Sequence, residues 1–84
     1  MDLRLNGKSV LITGGSKGIG LACAKAFAEE GCRVHLAARD EGRLQQARRA
    51  LDGKAEIHAA DLRDGEALRK LATACADVDI LVNN

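Results

Sequence analysis

Residues 13–20 read Thr13-Gly14-Gly15-Ser16-Lys17-Gly18-Ile19-Gly20 and stand between a short apolar run and a helix-like stretch. A glycine-rich turn from strand to helix is where a parallel α/β sheet binds phosphate, because the helix directs its free N–H groups and positive dipole end at the anion. Gly14 can take a backbone conformation closed to residues with a Cβ, Gly18 lets the chain approach a pyrophosphate, and Gly20 allows close packing of helix on strand. The turn therefore predicts dinucleotide binding. A merely structural turn would explain the glycines but not their position.

Length and charge limit the remaining possibilities. The 84 residues form at most one small domain, and thirteen basic against twelve acidic residues give a formal charge of +1. This balance favours neither nucleic acid nor an anionic membrane as a partner. The N-terminal residues lack the apolar segment of a signal peptide, and no apolar run approaches the ~20 residues that span a bilayer. We therefore expect a cytoplasmic protein.

The cysteines and histidines give no sign of a metal site or a disulfide framework. Cys23, Cys32 and Cys75 are odd in number and widely spaced, without a CxxC pair. We expect them to be small core residues. His35 and His58 each fall inside a predicted strand, with no second ligand at metal spacing, so we expect structural roles for both.

Four apolar runs alternate with three helical patterns, without a linker between them. This alternation predicts a parallel sheet of βα units, in which the strand order places the fourth strand beside the first. The predicted elements are a strand over 9–13, a helix over 18–30 ended by Gly31, a strand over 33–38, a helix from its N-cap Asp40 to Leu51, a strand over 55–60, a helix capped by Asp64, and a strand around Ile80-Leu81-Val82. The fold class is α/β, the first βαβαβαβ half of a doubly wound (Rossmann) sheet.

Apolar spacing predicts which side of each helix is buried. Leu44, Ala47 and Leu51 form one stripe on the second helix, and the third helix repeats this pattern. The residues of that third-helix stripe are Leu68, Leu71, Ala72 and Cys75.

The third and fourth predicted strands differ in hydrophobicity. The strand over 55–60 is the least apolar, so we place it at or near a sheet edge. The run 80–82 is apolar on both faces, which is typical of a central parallel strand. Such a strand would leave an open apolar edge if nothing followed it, so we expect the 84 residues to be the N-terminal part of a longer domain. The alternative is a small self-sufficient domain that dimerises through this edge.

With these motifs in order, the chain resembles the N-terminal part of the short-chain dehydrogenase/reductase family over all 84 residues. Residues 13–20 match the family's TGxxxGxG turn, and Asn83-Asn84 match the first half of its NNAG motif. Asp61-Leu62 match the acid that contacts the adenine and its neighbour. The resemblance implies that the turn binds the cofactor and that Asn84 lies against its ribose. The implied cofactor-binding residues are Gly14, Ser16, Lys17, Gly18, Ile19, Gly20, Arg39, Asp61, Leu62 and Asn84.

The end of the second predicted strand bears on the choice of cofactor. NAD-specific sites place a carboxylate there for the ribose 2′-OH, but this chain has Ala38, followed by Arg39. The Arg39 guanidinium can bind a 2′-phosphate bidentately, and Lys17 can add a second positive charge. These features predict NADP. Asp40 lies near the spacing of an NAD-type acid, but we interpret it as a helix N-cap.

The resemblance implies hydride transfer between NADP(H) and a small carbonyl or alcohol substrate, in an enzyme that is commonly a homo-oligomer. The family's catalytic Tyr, Lys and Ser follow the NNAG motif, and this chain contains no tyrosine. No catalytic residue is therefore predicted within these residues. The alternative is a non-catalytic dinucleotide-binding or redox-sensing module.

Overall fold

The computed structural model describes residues 5–14 and 18–84. The predicted alternation of strands and helices is confirmed, and the first two strands have the predicted bounds. The elements are β1 (Ser9–Thr13), α1 (Gly18–Glu29), β2 (Arg33–Ala38), α2 (Glu41–Ala50), β3 (Ala55–Ala59), α3 (Gly65–Ala74) and β4 (Ile80–Asn83).

The four strands form one parallel sheet in the order β3-β2-β1-β4. Two predictions are confirmed: β3 lies at an edge, and β4 lies beside β1. Val10 pairs with Val34 of β2 on one side and with Ile80 of β4 on the other. Among the described strands β4 forms the second edge, where Leu81 is 65% exposed, so its predicted central place is not seen within this chain.

The sheet is covered on both faces, as expected of a doubly wound fold. On one face β1 and β2 pack against α1 and α2, and the predicted stripe of Leu44, Ala47 and Leu51 is buried there. On the other face Leu11 and Ala37 pack with Leu71 and Cys75 of the α3 segment. Successive strand residues point to opposite faces, so β1 and β2 each contribute to both clusters.

The predicted stripe on α3 is only half correct. Leu71 and Cys75 are buried, but Leu68 is 47% exposed and Ala72 is also exposed. The reason is that α3 covers a small apolar area, whose buried sheet residues are Leu11 and Ala37. The regular apolar spacing correctly predicted the helix, but it predicted a wider buried face than the structure has.

The helix ends follow their predicted signals. Gly31 has φ +83°, the left-handed conformation of a C′ glycine after α1. Asp40 caps α2 by accepting a hydrogen bond from the Arg43 N–H at 3.1 Å. Asp64 caps α3 by accepting one from the Glu66 N–H at 3.0 Å. Within the described residues, no helix has the length and apolar character needed to cross a bilayer.

Candidate cofactor site

The carboxyl ends of the parallel strands meet at one edge of the sheet, where open α/β sheets bind ligands. Several residues singled out from the sequence come together there around a cleft of about 420 Å³. Its lining consists of Gly14, Ala37, Ala38, Arg39, Ala60, Asp61, Leu62 and Arg63. The cleft thus joins the start of the glycine turn to the segments that follow β2 and β3.

Gly14, which directly follows β1, is hydrogen-bonded to residues on both sides of this strand. Its N–H donates to the Ala37 carbonyl of β2 at 2.8 Å, and its own carbonyl accepts from the Asn84 Nδ2 at 3.2 Å. Gly14 has φ +68°, and an added Cβ would lie 3.1 Å from the Asn84 backbone oxygen. Both the conformation and the close approach therefore require glycine at this position, as the sequence predicted.

The Thr13 side chain forms a hydrogen bond to Asn83, the residue before Asn84. Its Oγ1 donates to the Asn83 Oδ1 at 3.0 Å, and the Thr13 side chain is itself buried. The Thr13 carbonyl accepts from the Asn84 N–H at 3.3 Å. Sequence reasoning gave Thr13 no role of its own, although a hydroxyl at the end of a buried strand is a signal that could have suggested one.

The second part of the turn leads into α1. Gly18 has φ +62°, so it is needed for its conformation as well as for the close approach predicted from the sequence. Gly20 is buried, and the first turn of α1 contains no acidic side chain that would compete with an anion. Ser16, Lys17 and the side chain of Ile19 lie outside the described residues, so their roles stay predictions.

Asp61 forms an ion pair that the sequence did not predict. Its carboxylate accepts from Arg63 at both oxygens, with Nε–Oδ1 and Nη2–Oδ2 distances of 3.1 Å each, and from the Arg63 backbone N–H at 3.0 Å. These hydrogen bonds, with a smaller contribution from the positive charge of Arg39, lower the pKa of Asp61 to about 2. Asp61 is therefore an anionic acceptor at neutral pH. The available signal was the arginine two residues beyond the acid.

Arg39 follows β2 directly and is exposed at the cleft. The nearest carboxylate in sequence, Asp40, is turned to the N-terminus of α2, where it binds the Arg43 N–H. The interpretation of Asp40 as a helix cap is thus confirmed. Basic side chains, Arg39 and Arg63, border the cleft at the end of β2 where an NAD-type acid would stand.

A parallel sheet with a glycine turn between its first strand and helix, and a cleft at the carboxyl ends, defines a Rossmann-type nucleotide-binding half-domain. The family model described as short chain dehydrogenase matches residues 8–84. The chain belongs to this family of oxidoreductases.

Individual relatives agree with this assignment. The chain is 40% identical to L-xylulose reductase of Bos taurus over 84 residues, which cover 100% of this chain and 34% of that protein. It superposes with a TM-score of 0.91 and 38% identity on L-sorbose reductase from Gluconobacter frateurii complexed with NADPH and L-sorbose, covering 100% of this chain and 35% of that one. A putative betaketoacyl-ACP reductase gives a TM-score of 0.89 at 44% identity, with coverages of 95% and 34%. The chain spans about a third of the length of these relatives.

Proposed function

We propose that these residues form the cofactor-binding N-terminal portion of an NADP-dependent short-chain dehydrogenase/reductase. The complete protein would transfer hydride between NADP(H) and the carbonyl or alcohol group of a small molecule, and would act as a homo-oligomer. Membership of the short-chain dehydrogenase family supports the reaction class. The choice of NADP rests on the surroundings of Arg39.

The described residues fit a dinucleotide. Gly14 and Gly18 both have positive φ, which keeps Cβ atoms out of the turn, and α1 begins without a carboxylate. Asp61 is an ionised acceptor with about one acceptor site left beyond its three hydrogen bonds from Arg63, since a carboxylate offers about four such sites. Asn84 would lie against the ribose, as its family motif implies. The bound cofactor would supply the hydride, while this chain would hold its adenosine and pyrophosphate.

The position of Arg39 is the observation that supports NADP most directly. The side chain is exposed at the cleft immediately after Ala38, where an NAD-specific site would place an acid. Asp40 is oriented toward the first turn of α2, where its Oδ1 accepts a hydrogen bond from the Arg43 N–H. A guanidinium here would bind the 2′-phosphate bidentately, and Lys17 would add to the positive potential.

Dissociation constants of NADPH and NADH for the full-length protein test the cofactor proposal. We expect NADPH to bind at least about 10-fold more tightly, because hydrogen bonds between charged groups contribute about 1.5–3 kcal/mol. Arg39→Asp should reverse the preference. Arg69→Asp makes the same charge change on the exposed surface of α3, away from the cleft, and should leave the ratio unchanged. Tighter binding of NADH by the unaltered protein would contradict the proposal.

Catalysis needs a separate test, because the printed sequence contains no tyrosine. A Tyr-x-x-x-Lys motif encoded downstream of Asn84 would supply the proton-transfer group that the family uses. Sequencing the coding region beyond Asn84, together with the mass of the intact polypeptide, decides the matter. A stop codon directly after Asn84 would overturn the enzyme proposal for this polypeptide and leave a dinucleotide-binding module.

A further inference from the structure

Three side chains that bind transition metals meet on the face of the sheet beneath α3. His35 belongs to β2, His58 to β3, and Cys75 is the C-cap of α3. The His35 Nδ1 lies 3.0 Å from the His58 Nε2, which in turn lies 3.8 Å from the Cys75 Sγ. All three ligand atoms are within 4.8 Å of one another. The sequence showed no second ligand at metal spacing for either histidine, and the fold brings such ligands together.

The fold explains why residues so far apart in sequence converge. His35 is paired with Glu56 in the β2–β3 register, and His58 follows Glu56 by two residues on the same face of β3. The chain then crosses over through α3, which ends above these residues at Cys75. A carboxylate lies beside this group, since the Glu56 Oε2 is 3.3 Å from the His35 Nδ1.

The distances are close to those of a tetrahedral zinc site. With Zn–N near 2.0–2.1 Å and Zn–S near 2.3 Å, two nitrogen ligands lie about 3.3 Å apart, and a nitrogen and a sulfur about 3.6 Å. The observed separations are 3.0 Å between the histidine nitrogens and 3.8 Å between His58 and the Cys75 sulfur. The remaining pair, the His35 Nδ1 and the Cys75 Sγ, lies within 4.8 Å, so side-chain rotation would have to shorten it to about 3.6 Å on metal binding.

We propose that His35, His58 and Cys75 bind a zinc-type divalent cation, with the Glu56 carboxylate as fourth ligand. On binding, the Cys75 thiol releases its proton to solvent as the metal–sulfur bond forms, and both imidazoles bind in their neutral form. The thiolate and the carboxylate then balance the two positive charges of the ion. A complete set of protein ligands is typical of a structural site, so the ion would tie α3 to β2 and β3.

Among the proposed ligands His35 and Cys75 are shielded from solvent, whereas the Glu56 side chain is 74% exposed. The side chain of His35 is 14% exposed, and Cys75 is buried. Burial, followed by the electrostatic interaction with His35, lowers the pKa of His58. Burial, followed by the charges of Glu56 and Asp77, raises the pKa of the Cys75 thiol. Without a metal this thiol is therefore protonated and unreactive.

Cobalt is the probe, because a cobalt–thiolate bond absorbs in the near ultraviolet and tetrahedral cobalt absorbs strongly in the visible. Reduced, metal-free full-length protein titrated with Co²⁺ should show both absorptions at one equivalent per chain, and Zn²⁺ should displace them. Cys75→Ser should abolish the thiolate absorption. Cys23→Ser alters a half-buried cysteine on α1 and should leave it unchanged.

Affinity and stability give further readouts. His58→Gln should weaken Co²⁺ binding at least about 100-fold while the thiolate absorption remains, and Glu56→Gln about 10-fold, by comparison with the 10–100-fold cost of losing an outer-shell partner. Zn²⁺ should raise the Tm of the unaltered protein more than that of Cys75→Ser. Absence of the thiolate absorption, its persistence in Cys75→Ser, or an equal signal from the denatured chain would overturn the proposal. Should Cys75→Ser fail to fold, unchanged affinity in His58→Gln would overturn it as well.

Discussion

Asn84 holds the first glycine of the glycine-rich turn in place. Its Nδ2 donates to the Gly14 carbonyl at 3.2 Å, while its backbone oxygen lies 3.1 Å from the position of a Cβ on Gly14. Two family motifs that are 70 residues apart in sequence are thus in direct contact. The contact is possible because β1 and β4 are paired, with Thr13 opposite Asn83.

Gly14→Ala should therefore destabilise the protein and weaken cofactor binding. The left-handed backbone at φ +68° costs a residue with a Cβ about 1–2 kcal/mol, and the contact with Asn84 adds to this. Urea unfolding and NADPH titration measure the two effects. Gly65→Ala is the matched control, because its added Cβ meets no described atom within 4 Å and its φ is ordinary, so that variant should be neutral or slightly stabilised. Equal stability of the two variants would contradict the prediction.

Asp40→Ala separates a helix cap from a cofactor-binding acid. Loss of the hydrogen bond to the Arg43 N–H should cost about 1 kcal/mol of stability, and Asp40→Ser should recover most of it, since serine is also a good N-cap. Neither change should alter the ratio of NADPH to NADH affinity. A selective loss of NADH binding in Asp40→Ala, at unchanged NADPH binding, would instead identify Asp40 as the ribose acid.

The local signals in the sequence were sufficient for the fold. Asp40 and Asp64 stand immediately before helical patterns and cap them, and Gly31 ends α1 with a positive φ. These residues act through bonds within a few positions of themselves, so their sequence neighbours contain the needed information. The glycine turn was predictable for the same reason.

What could not be predicted depends on strand register and on the path of the loops and helices between strands. His35 and His58 meet because β2 and β3 are neighbours in a particular register, and Cys75 joins them only through the path of α3. Arg63 pairs with Asp61 because the loop after β3 brings the two side chains together, and the geometry of this loop is not apparent from the sequence. Long-range contacts of this kind are not encoded by periodicity or spacing.

The Asp61–Arg63 pair predicts an acid-range dependence of stability. The folded pKa of Asp61, about 2, is below its ordinary value of 3.8, so the stabilising contribution is complete above about pH 4 and is lost as the pH falls toward 2. A carboxyl NMR titration should give a midpoint near 2, moving toward 3.8 in Arg63→Gln. Arg69→Gln removes an exposed positive charge on α3 and should not move it. A midpoint near 3.8 in the unaltered protein would show that the pair does not form in solution.

The exposure of α3 can be tested with two leucines three residues apart. Leu71 is 5% exposed and packs against Leu11 and Ala37, whereas Leu68 is 47% exposed. Leu71→Ala should therefore cost about 2–5 kcal/mol, which is a large share of the total stability of a small domain. Leu68→Ala should cost less than about 1 kcal/mol, because most of the side chain removed is already in contact with water. Urea unfolding in the presence of a chelator measures both without any contribution from bound metal. Equal losses would mean that α3 presents a wider face to the sheet, as its apolar spacing alone predicts.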